Sequence, residues 1–402
     1  MGFKEVQGGV TAARGFRAGV VAAEIKRKGR TDLALLVSDR PAAVAGVFTT
    51  NRIQGATVKL DRERLAGGVA RAVVINSGNA NACNGAQGLA DARRMAALVA
   101  KELEVDEATV FVCSTGTIGI PMPMDRVEKG IRALVPALSA DGGPGAARAI
   151  MTTDTVDKQA AYELQIDGKR VRVGGMAKGA GMIEPNMATM LAFLTTDAAV
   201  KREALQICLR VAVNESFNRV TVDGDQSCND TVLLFANGEA GNRPLDEKHP
   251  EWPLFAEAVK RVARDLAMKI ARDGEGATKF VTVKVESAAS DEDAAKAARA
   301  IANSLLVKTS WFGCDPNWGR VIDAVGYSGA DVREELVDIR YDDVLAVRHG
   351  QAAGEPLARL EEVLRRKEFS LTVSLHLGSG ADTVYTCDCS EEYVKINSEY
   401  MT

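Results

Sequence analysis

The amino-acid sequence predicts a mixed α/β protein with two or three hydrophobic cores. Short apolar runs of strand type alternate with segments in which apolar residues recur at helical spacing. The 402 residues exceed what one core usually organises, and no fixed-period repeat or low-complexity stretch interrupts the pattern. We therefore expect globular packing along the whole chain, with a smaller C-terminal α/β domain from about residue 280.

Strands dominate the predicted first half of the chain. A hairpin is expected to turn at Asp167-Gly168, because an Asp-Gly pair favours a two-residue turn. A buried strand, MLAFLTT, is predicted at residues 190–196, and the helix REALQICLRVAVNES follows it. The earlier strands are LALLVSD, AVAGVFTT, RAVVINSG and TVFVCSTG, and the earlier helix is QGLADARRMAALVAKELEV.

The second half is predicted to contain longer helices. Two strands are expected around TVDGDQSCND, and a Gly/Trp-rich segment, FGCDPNWGRVIDAVGYSG, lies further on. Two strands are expected to lead to the terminus. The other predicted elements are the helices WPLFAEAVKRVARDLAMKIARDG, DEDAAKAARAIANSLLVK and PLARLEEVLRRKE and the strand KFVTVKVES.

The composition excludes several classes of function. The chain has 50 Lys and Arg against 54 Asp and Glu, so it lacks the basic surface of a nucleic-acid-binding protein and favours small-molecule partners. No apolar run reaches about 18 residues, so no membrane span is expected. The N-terminal residues lack the apolar core of a signal peptide.

The seven cysteines are scattered, odd in number and without a CxxC pair, which indicates reduced thiols in a cytoplasmic protein. Cys387 and Cys389 are expected on one face of a strand, where two thiols facing one core are favoured over a disulfide or a metal site. We predict no metal site.

Four loops rich in Gly, Asn and Thr follow strand-like runs. They are INSGNANACNG, CSTGTIG, KGAGMIEPNMAT and TVDGDQSCND. Any one of them alone is best explained as a turn. Together they are better suited to presenting backbone amides to a ligand, and amide donors stabilise an oxyanion. Thr115 and Gly116 in CSTGTIG would form such an oxyanion pair, whereas phosphate binding is less favoured because no GxxxxGK[ST] is present.

Ala188 and Thr189 lie where the third of these loops meets the strand MLAFLTT. A nucleophilic hydroxyl needs a base, and none of the three histidines lies in the four loops. Cleavage of the chain before Thr189 would supply a base, because the new α-amine titrates at about 7.7–8. The alternative is that Thr189 is an ordinary strand residue, since β-branched side chains suit strands.

The segment KGAGMIEPNMATML resembles the self-cleavage motif of the ornithine acetyltransferase family, also called the ArgJ family. The motifs NSGNANACNG, STGTIG, TVDGDQSCNDT, GEGATKF, DPNWGR and INSEY-x-T also match it in order. The resemblance implies a layered α/β sandwich of the ArgJ and self-cleaving aminopeptidase type, with an N-terminal nucleophile threonine and a smaller C-terminal α/β domain. It also implies self-cleavage into chains 1–188 and 189–402, which stay associated as two copies of each.

The resemblance also assigns roles to individual residues. Thr189 is the nucleophile, Thr115 and Gly116 hold the oxyanion, and cleavage falls between Ala188 and Thr189. The positions that match substrate-binding residues of the family are Thr155, Lys178, Thr189, Glu275, Asn397 and Thr402. A lysine can pair with a substrate carboxylate and a glutamate can orient a distal group, but the two roles are interchangeable at this stage.

The implied reaction is the transfer of acetyl from N-acetylornithine to glutamate, which gives ornithine and N-acetylglutamate without a cofactor. Acetyl-CoA is left open as a further acetyl donor. Two alternatives remain at this stage. One is a self-cleaving aminopeptidase, although that family normally has a serine nucleophile. The other is a non-catalytic small-molecule binding protein that uses the same loops.

Overall fold

The computed structural model describes residues 2–184 and 190–399, and these residues form two compact units. The first unit contains residues up to 218 and residues 225–270, and the second contains residues 219–224 and those from 271 onward. The second unit therefore consists mainly of the C-terminal part of the chain, and it includes a short segment from the middle of the chain.

The first unit is built on one sheet. The helices are α1 (Ala56–Leu65), α2 (Gly85–Leu103), α3 (Met124–Leu134), α4 (Gly143–Ala149), α5 (Arg202–Asn214) and α6 (Trp252–Arg272). The strands are β1 (Lys4–Glu5), β2 (Phe16–Val21), β3 (Leu33–Phe48), β4 (Val69–Asn79), β5 (Val110–Thr117), β6 (Lys158–Ile166), β7 (Lys169–Lys178), β8 (Leu191–Thr196) and β9 (Thr231–Ala236). Short 3-10 helices lie at Gly9–Thr11, Glu107–Thr109, Val135–Ala137 and Phe217–Arg219.

The sheet of the first unit has the order β1-β6-β7-β8-β9-β3-β4-β5, and β2 pairs with the first half of β3. Two strands separate β9 from β5 in this order, which would place them about 14 Å apart in a flat sheet. The rings of Phe111 on β5 and Phe235 on β9 nevertheless meet edge to face at 6.5 Å. The sheet therefore folds over so that its halves face each other, and the predicted layered sandwich is confirmed.

Apolar side chains fill both faces of the sandwich. One cluster lies between the facing halves and includes Phe111, Phe193 and Phe235. The other lies under α2 and α3, where Met95 and Ile131 are fully buried. Each such side chain contributes about 1.5–3 kcal/mol relative to an exposed one, so these two clusters hold the strand ends of the site in place.

The second unit has its own sheet, in the order β13-β12-β11-β14-β10-β15. Its core includes the buried rings of Trp311, Tyr341 and Phe369. The strands are β10 (Phe280–Ala288), β11 (Asp338–Tyr341), β12 (Val344–Arg348), β13 (Gln351–Ala352), β14 (Glu368–Ser374) and β15 (Gly380–Cys387). The helices are α7 (Asp291–Asn303), α8 (Leu305–Phe312), α9 (Trp318–Gly326), α10 (Leu357–Leu364) and α11 (Glu391–Glu399), with a 3-10 turn at Glu334–Leu336.

Most predicted elements are present, and the differences have local causes. The runs LALLVSD and AVAGVFTT form the single strand β3, because Pro41 lies at a shift in the β3–β4 register, where it removes no ladder hydrogen bond. The helix predicted from residue 291 to 308 divides at Ser304, whose hydroxyl caps α8 by accepting from the Val307 amide.

Two further predictions were wrong. The strand expected before TVDGDQSCND does not form, and Val220 makes only an isolated bridge to Tyr385. Cys387 and Cys389 do not share a strand face, because β15 ends at Cys387; both thiols are free. Among the described residues, no helix combines the length and apolar character that crossing a membrane requires.

Candidate active site

Hydrogen bonds join described residues of the four Gly-rich loops within the first unit. The Asn229 amide donates to the carbonyl oxygens of Ala80 and Ser114, which joins the loop before β9 to the loops after β4 and at the end of β5. The ammonium of Lys178, at the end of β7, reaches the Thr115 hydroxyl at 3.4 Å. These hydrogen bonds connect the four loops into one group, which we call the rim, rather than four independent turns.

Gly116 occupies a position that only glycine fits. Its φ is +132°, and a Cβ atom there would lie 2.3 Å from the carbonyl carbon of Gly78 on the neighbouring strand. Gly78 itself has a φ of +97° and pairs with Gly116 in the parallel β4–β5 register. This close approach and the bulge that follows it bend the end of β5 away from regular pairing, as is common beside active sites.

The Thr115 hydroxyl accepts a hydrogen bond from Lys178, which leaves its own hydrogen to be donated elsewhere. Lys178 is buried, with only 8% of its surface exposed. A buried ammonium beside a hydroxyl donor and a glycine makes this a suitable place for developing negative charge. Thr115, Gly116 and Lys178, which were predicted separately, are thus brought together.

Asp154 holds the loop that carries Lys178. One carboxylate oxygen accepts from Lys158 at 2.8 Å and from the Gly179 amide at 2.7 Å, and both charged side chains of the pair are fully buried. Burial alone would raise the pKa of Asp154, but the charges of Lys178 and Lys158 outweigh it and lower the pKa to about 2. Asp154 is therefore ionised and balances Lys178.

The sequence analysis missed Asp154 and Lys158. Their signal was the i, i+4 spacing of opposite charges in TTDTVDK, the segment from which only Thr155 was taken. Thr155 is exposed and directly follows Asp154. The Arg30 guanidinium supports this loop by donating to the carbonyl oxygens of Met151 at 2.7 Å and Thr152 at 3.2 Å.

Helix α1 covers the free edge of β5. The Asp61 carboxyl accepts from the Val112 amide at 2.9 Å, and Arg64 donates to the Val110 carbonyl oxygen. Complete burial raises the pKa of Asp61 to about 8, despite the Val112 amide and the Arg64 charge. These bonds satisfy edge groups of β5 and fix the strand on which Thr115 and Gly116 lie.

Glu275 and Asn397 form a separate pair in the second unit. The Asn397 amide on α11 donates to the Glu275 carboxylate at 2.8 Å and also to the Tyr393 carbonyl oxygen at 3.0 Å. Glu275 is buried, whereas Asn397 is exposed. Two substrate-binding positions predicted from distant parts of the sequence are therefore in direct contact. Ala188, Thr189 and Thr402 lie outside the described residues.

Comparison with known proteins identifies the chain's relatives. The ArgJ family model matches residues 17–402. The arginine biosynthesis bifunctional protein ArgJ of Geobacter sulfurreducens is 53% identical over 97% of this chain and 99% of its own length. The solved ArgJ structure from Bacillus halodurans is 43% identical, with a TM-score of 0.51 over 53% of this chain and 100% of the solved chain.

A solved ornithine acetyltransferase from Mycobacterium tuberculosis, in complex with ornithine, is 44% identical over 46% of this chain and 100% of its own, with a TM-score of 0.44.

The two-sheet α/β fold and these relatives define an enzyme of amino-acid biosynthesis. The chain belongs to the ArgJ family, and its named relatives in this family are proteins of arginine biosynthesis. The family that the sequence motifs predicted is confirmed.

Proposed function

We propose that the chain cleaves itself before Thr189 and then transfers acetyl from N-acetylornithine to glutamate, which yields ornithine and N-acetylglutamate. The Thr189 hydroxyl attacks the acetyl carbonyl while its α-amine accepts the hydroxyl proton. Ornithine leaves, and the glutamate nitrogen then attacks the acetyl-threonine ester. Membership of the ArgJ family supports this reaction, as do the names of the relatives.

The hydrogen bond between Lys178 and Thr115 is the observation that carries the proposal. It fixes the hydroxyl with its hydrogen available, next to Gly116, whose φ of +132° is a conformation that other residues rarely adopt. An oxyanion site needs such donors in place before charge develops, because reorientation during the reaction would cancel much of the gain. The Asp154 carboxylate, which is paired with Lys158 and bonded to the Gly179 amide, balances the charge of Lys178.

Two features favour cleavage before Thr189 over an intact binding protein. The residues from 189 onward make up just over half of the 402, and the solved Bacillus chain is matched along its full length by 53% of this chain. The rim formed by Thr115 and Lys178 also suits acyl chemistry better than simple retention of a ligand. We further propose that the two products associate as two copies of each.

The remaining site residues are assigned to substrate recognition. We assign Lys178 and Thr155 to the acyl end of the substrate, and Glu275, Asn397 and Thr402 to its charged groups. A buried carboxylate that already accepts from an amide suits a substrate ammonium. We expect no cofactor, and we expect the protein to act in the cytoplasm, where its free thiols remain reduced.

Acetyl-CoA is a second acetyl donor in this proposal, in keeping with the bifunctional names of the relatives. Incubation of the protein with glutamate and acetyl-CoA alone should then give N-acetylglutamate. A protein that makes this product only from N-acetylornithine would limit the proposal to one donor.

Mass analysis tests the proposal directly. The purified protein should consist of two chains divided between Ala188 and Thr189. Thr189→Ala should remain one inactive chain, and Thr189→Ser should cleave at least in part, because the acyl shift needs a hydroxyl. Acetyl transfer to glutamate in preference to water then separates a transferase from an aminopeptidase. A fully cleaved Thr189→Ala variant would rule out the mechanism.

A further inference from the structure

Asp230 lies beside the residue that follows the proposed nucleophile. Strands β8 and β9 run in parallel, with Leu191 opposite Thr231. The Thr231 amide donates to the Met190 carbonyl oxygen at 3.0 Å, so the two strands begin side by side. The carboxyl group of Asp230 accepts from the Met190 amide, and Met190 is joined to Thr189 by a peptide bond. Asp230 thus contacts the residue that directly follows Thr189 in the sequence.

The Asp230 carboxyl is buried and incompletely satisfied. Only 2% of the residue is exposed. Its Oδ2 atom has no hydrogen-bond partner among the residues that the structure describes. A buried carboxyl oxygen without a donor is costly, so such an atom usually marks a place where a donor arrives in another state of the protein.

We propose that Oδ2 of Asp230 accepts a hydrogen bond from the α-amine of Thr189 in the cleaved protein. Asp230 is then a positioning residue, which directs the lone pair of the amine toward the Thr189 hydroxyl. The inference rests on the proposed function, because the amine exists only after cleavage. A base held by a third group is a recurring arrangement in nucleophilic catalysis.

The proton balance of the reaction needs no transfer to Asp230. The Thr189 hydroxyl gives its proton to the neutral amine as the oxygen–carbon bond forms and the carbonyl electrons move to the oxyanion. The ammonium then returns a proton to the ornithine nitrogen as the carbon–nitrogen bond breaks. Throughout, the ionised Asp230 carboxylate stabilises the ammonium, which is the charged form of the base.

The charged and titratable groups around Asp230 are consistent with a carboxyl that ionises when the Thr189 amine becomes protonated. Burial raises the pKa of Asp230 well above its usual range, and the Ser227 hydroxyl and the charge of Lys178 act against this rise. The neighbouring Cys228 thiol stays neutral, since burial raises its pKa to about 11. Lys178 is itself balanced by Asp154, so the new ammonium would be a further cation that favours the ionised form.

Asp230→Asn tests the inference, and Asp32→Asn is the matched control. Both aspartates are buried with a raised pKa, but the Asp32 carboxyl accepts from the Ala23 and Ile25 amides rather than from β8. Asp230→Asn should fold and cleave, because the amide resembles the protonated acid of the precursor. Its kcat should fall about 10²-fold. The acid limb of its pH profile, where kcat/KM falls as the pH decreases, should move to lower pH by about one unit or more. The reason is that the ammonium loses its counter-charge, which lowers the pKa of the amine.

Asp32→Asn should keep the wild-type kcat and acid limb. An Asp230→Asn variant with the wild-type limb would overturn the inference, and so would a folded variant that fails to cleave. If Asp230→Asn does not fold, Asp230→Glu tests the proposal instead. This variant keeps a carboxylate, so its acid limb should stay at the wild-type pH. An acid limb shifted to lower pH in Asp230→Glu would contradict the proposal. If wild-type protein is not cleaved at all, the proposed function fails instead.

Discussion

Two sets of predicted site residues, one in each unit, are held in different ways. Lys178 and Thr115 in the first unit are fixed by buried charge, because Asp154 balances Lys178 and a second lysine, Lys158. Glu275 in the second unit meets a single amide from Asn397 on α11, a helix without buried residues. A rigid set suits stabilisation of a transition state, and a set with an exposed member such as Asn397 suits recognition of a substrate. The first should therefore control kcat and the second KM.

Removal of the Lys178 ammonium should have the largest effect of the substitutions that test this comparison. Lys178→Met is expected to lower kcat about 10³-fold, since both the Thr115 hydroxyl and the local positive charge are affected. Steady-state kinetics of the cleaved enzyme would measure it. Lys26→Met is the control, because Lys26 donates to Thr117 on the same strand at 2.9 Å. Equal losses in the two variants would argue against a special role for Lys178.

Thr115→Ala should lower kcat by about 10²-fold and change KM much less, because the hydroxyl acts mainly in the transition state. The loss is expected at the low end of the range for such donors, since the Gly116 amide remains. Thr117→Ala, two residues along β5, should leave kcat close to that of the wild type. An effect of Thr115→Ala on KM alone would mean that this hydroxyl positions the substrate.

In the second unit, Asn397→Ala should raise KM about tenfold and leave kcat within about threefold, because it removes one hydrogen bond that positions Glu275. Initial rates with varied N-acetylornithine would separate the two constants. The neighbouring Ser398→Ala is a suitable control, since its hydroxyl donates to the Lys395 carbonyl oxygen on the same helix. A large fall in kcat would mean that Glu275 and Asn397, like Lys178 and Thr115, act mainly in the transition state.

The smallest expected effect concerns stability within the first unit. The pKa of Asp154 is lowered to about 2, so its contribution is present above pH ~4 and is lost as the pH falls toward 2. The pKa of Asp61 is raised to about 8, so stability should decrease as the pH rises from ~4 toward 8. Asp61→Asn should reduce the second slope and keep the first, and the raised pKa values of Asp32 and Asp230 account for the slope that remains. Thermal midpoints across pH 2–9 would measure both, and an unchanged alkaline slope would contradict the assignment.

The sequence predicted the α/β class, most helices and strands, and the loops that form the rim. These features depend on local patterns, such as the Asp167-Gly168 turn and the helical spacing in α2. It could not place Asp154 beside the Lys178 loop or Asp230 beside Met190, because these contacts depend on which strands are neighbours. The β8–β9 pairing places Asp230 beside Met190 although about 40 residues separate them in the chain. Strand order of this kind has no local signal in a single sequence.

The most direct test of the central claim is whether acetyl becomes attached to Thr189. Cleaved enzyme should be incubated with N-acetylornithine alone, and the peptide that begins with Thr189 should be weighed by mass spectrometry. The account predicts one added acetyl group on that peptide, removed by glutamate, together with parallel lines in initial-rate plots against both substrates. An unmodified peptide together with converging lines would show direct transfer between bound substrates and would contradict the claim.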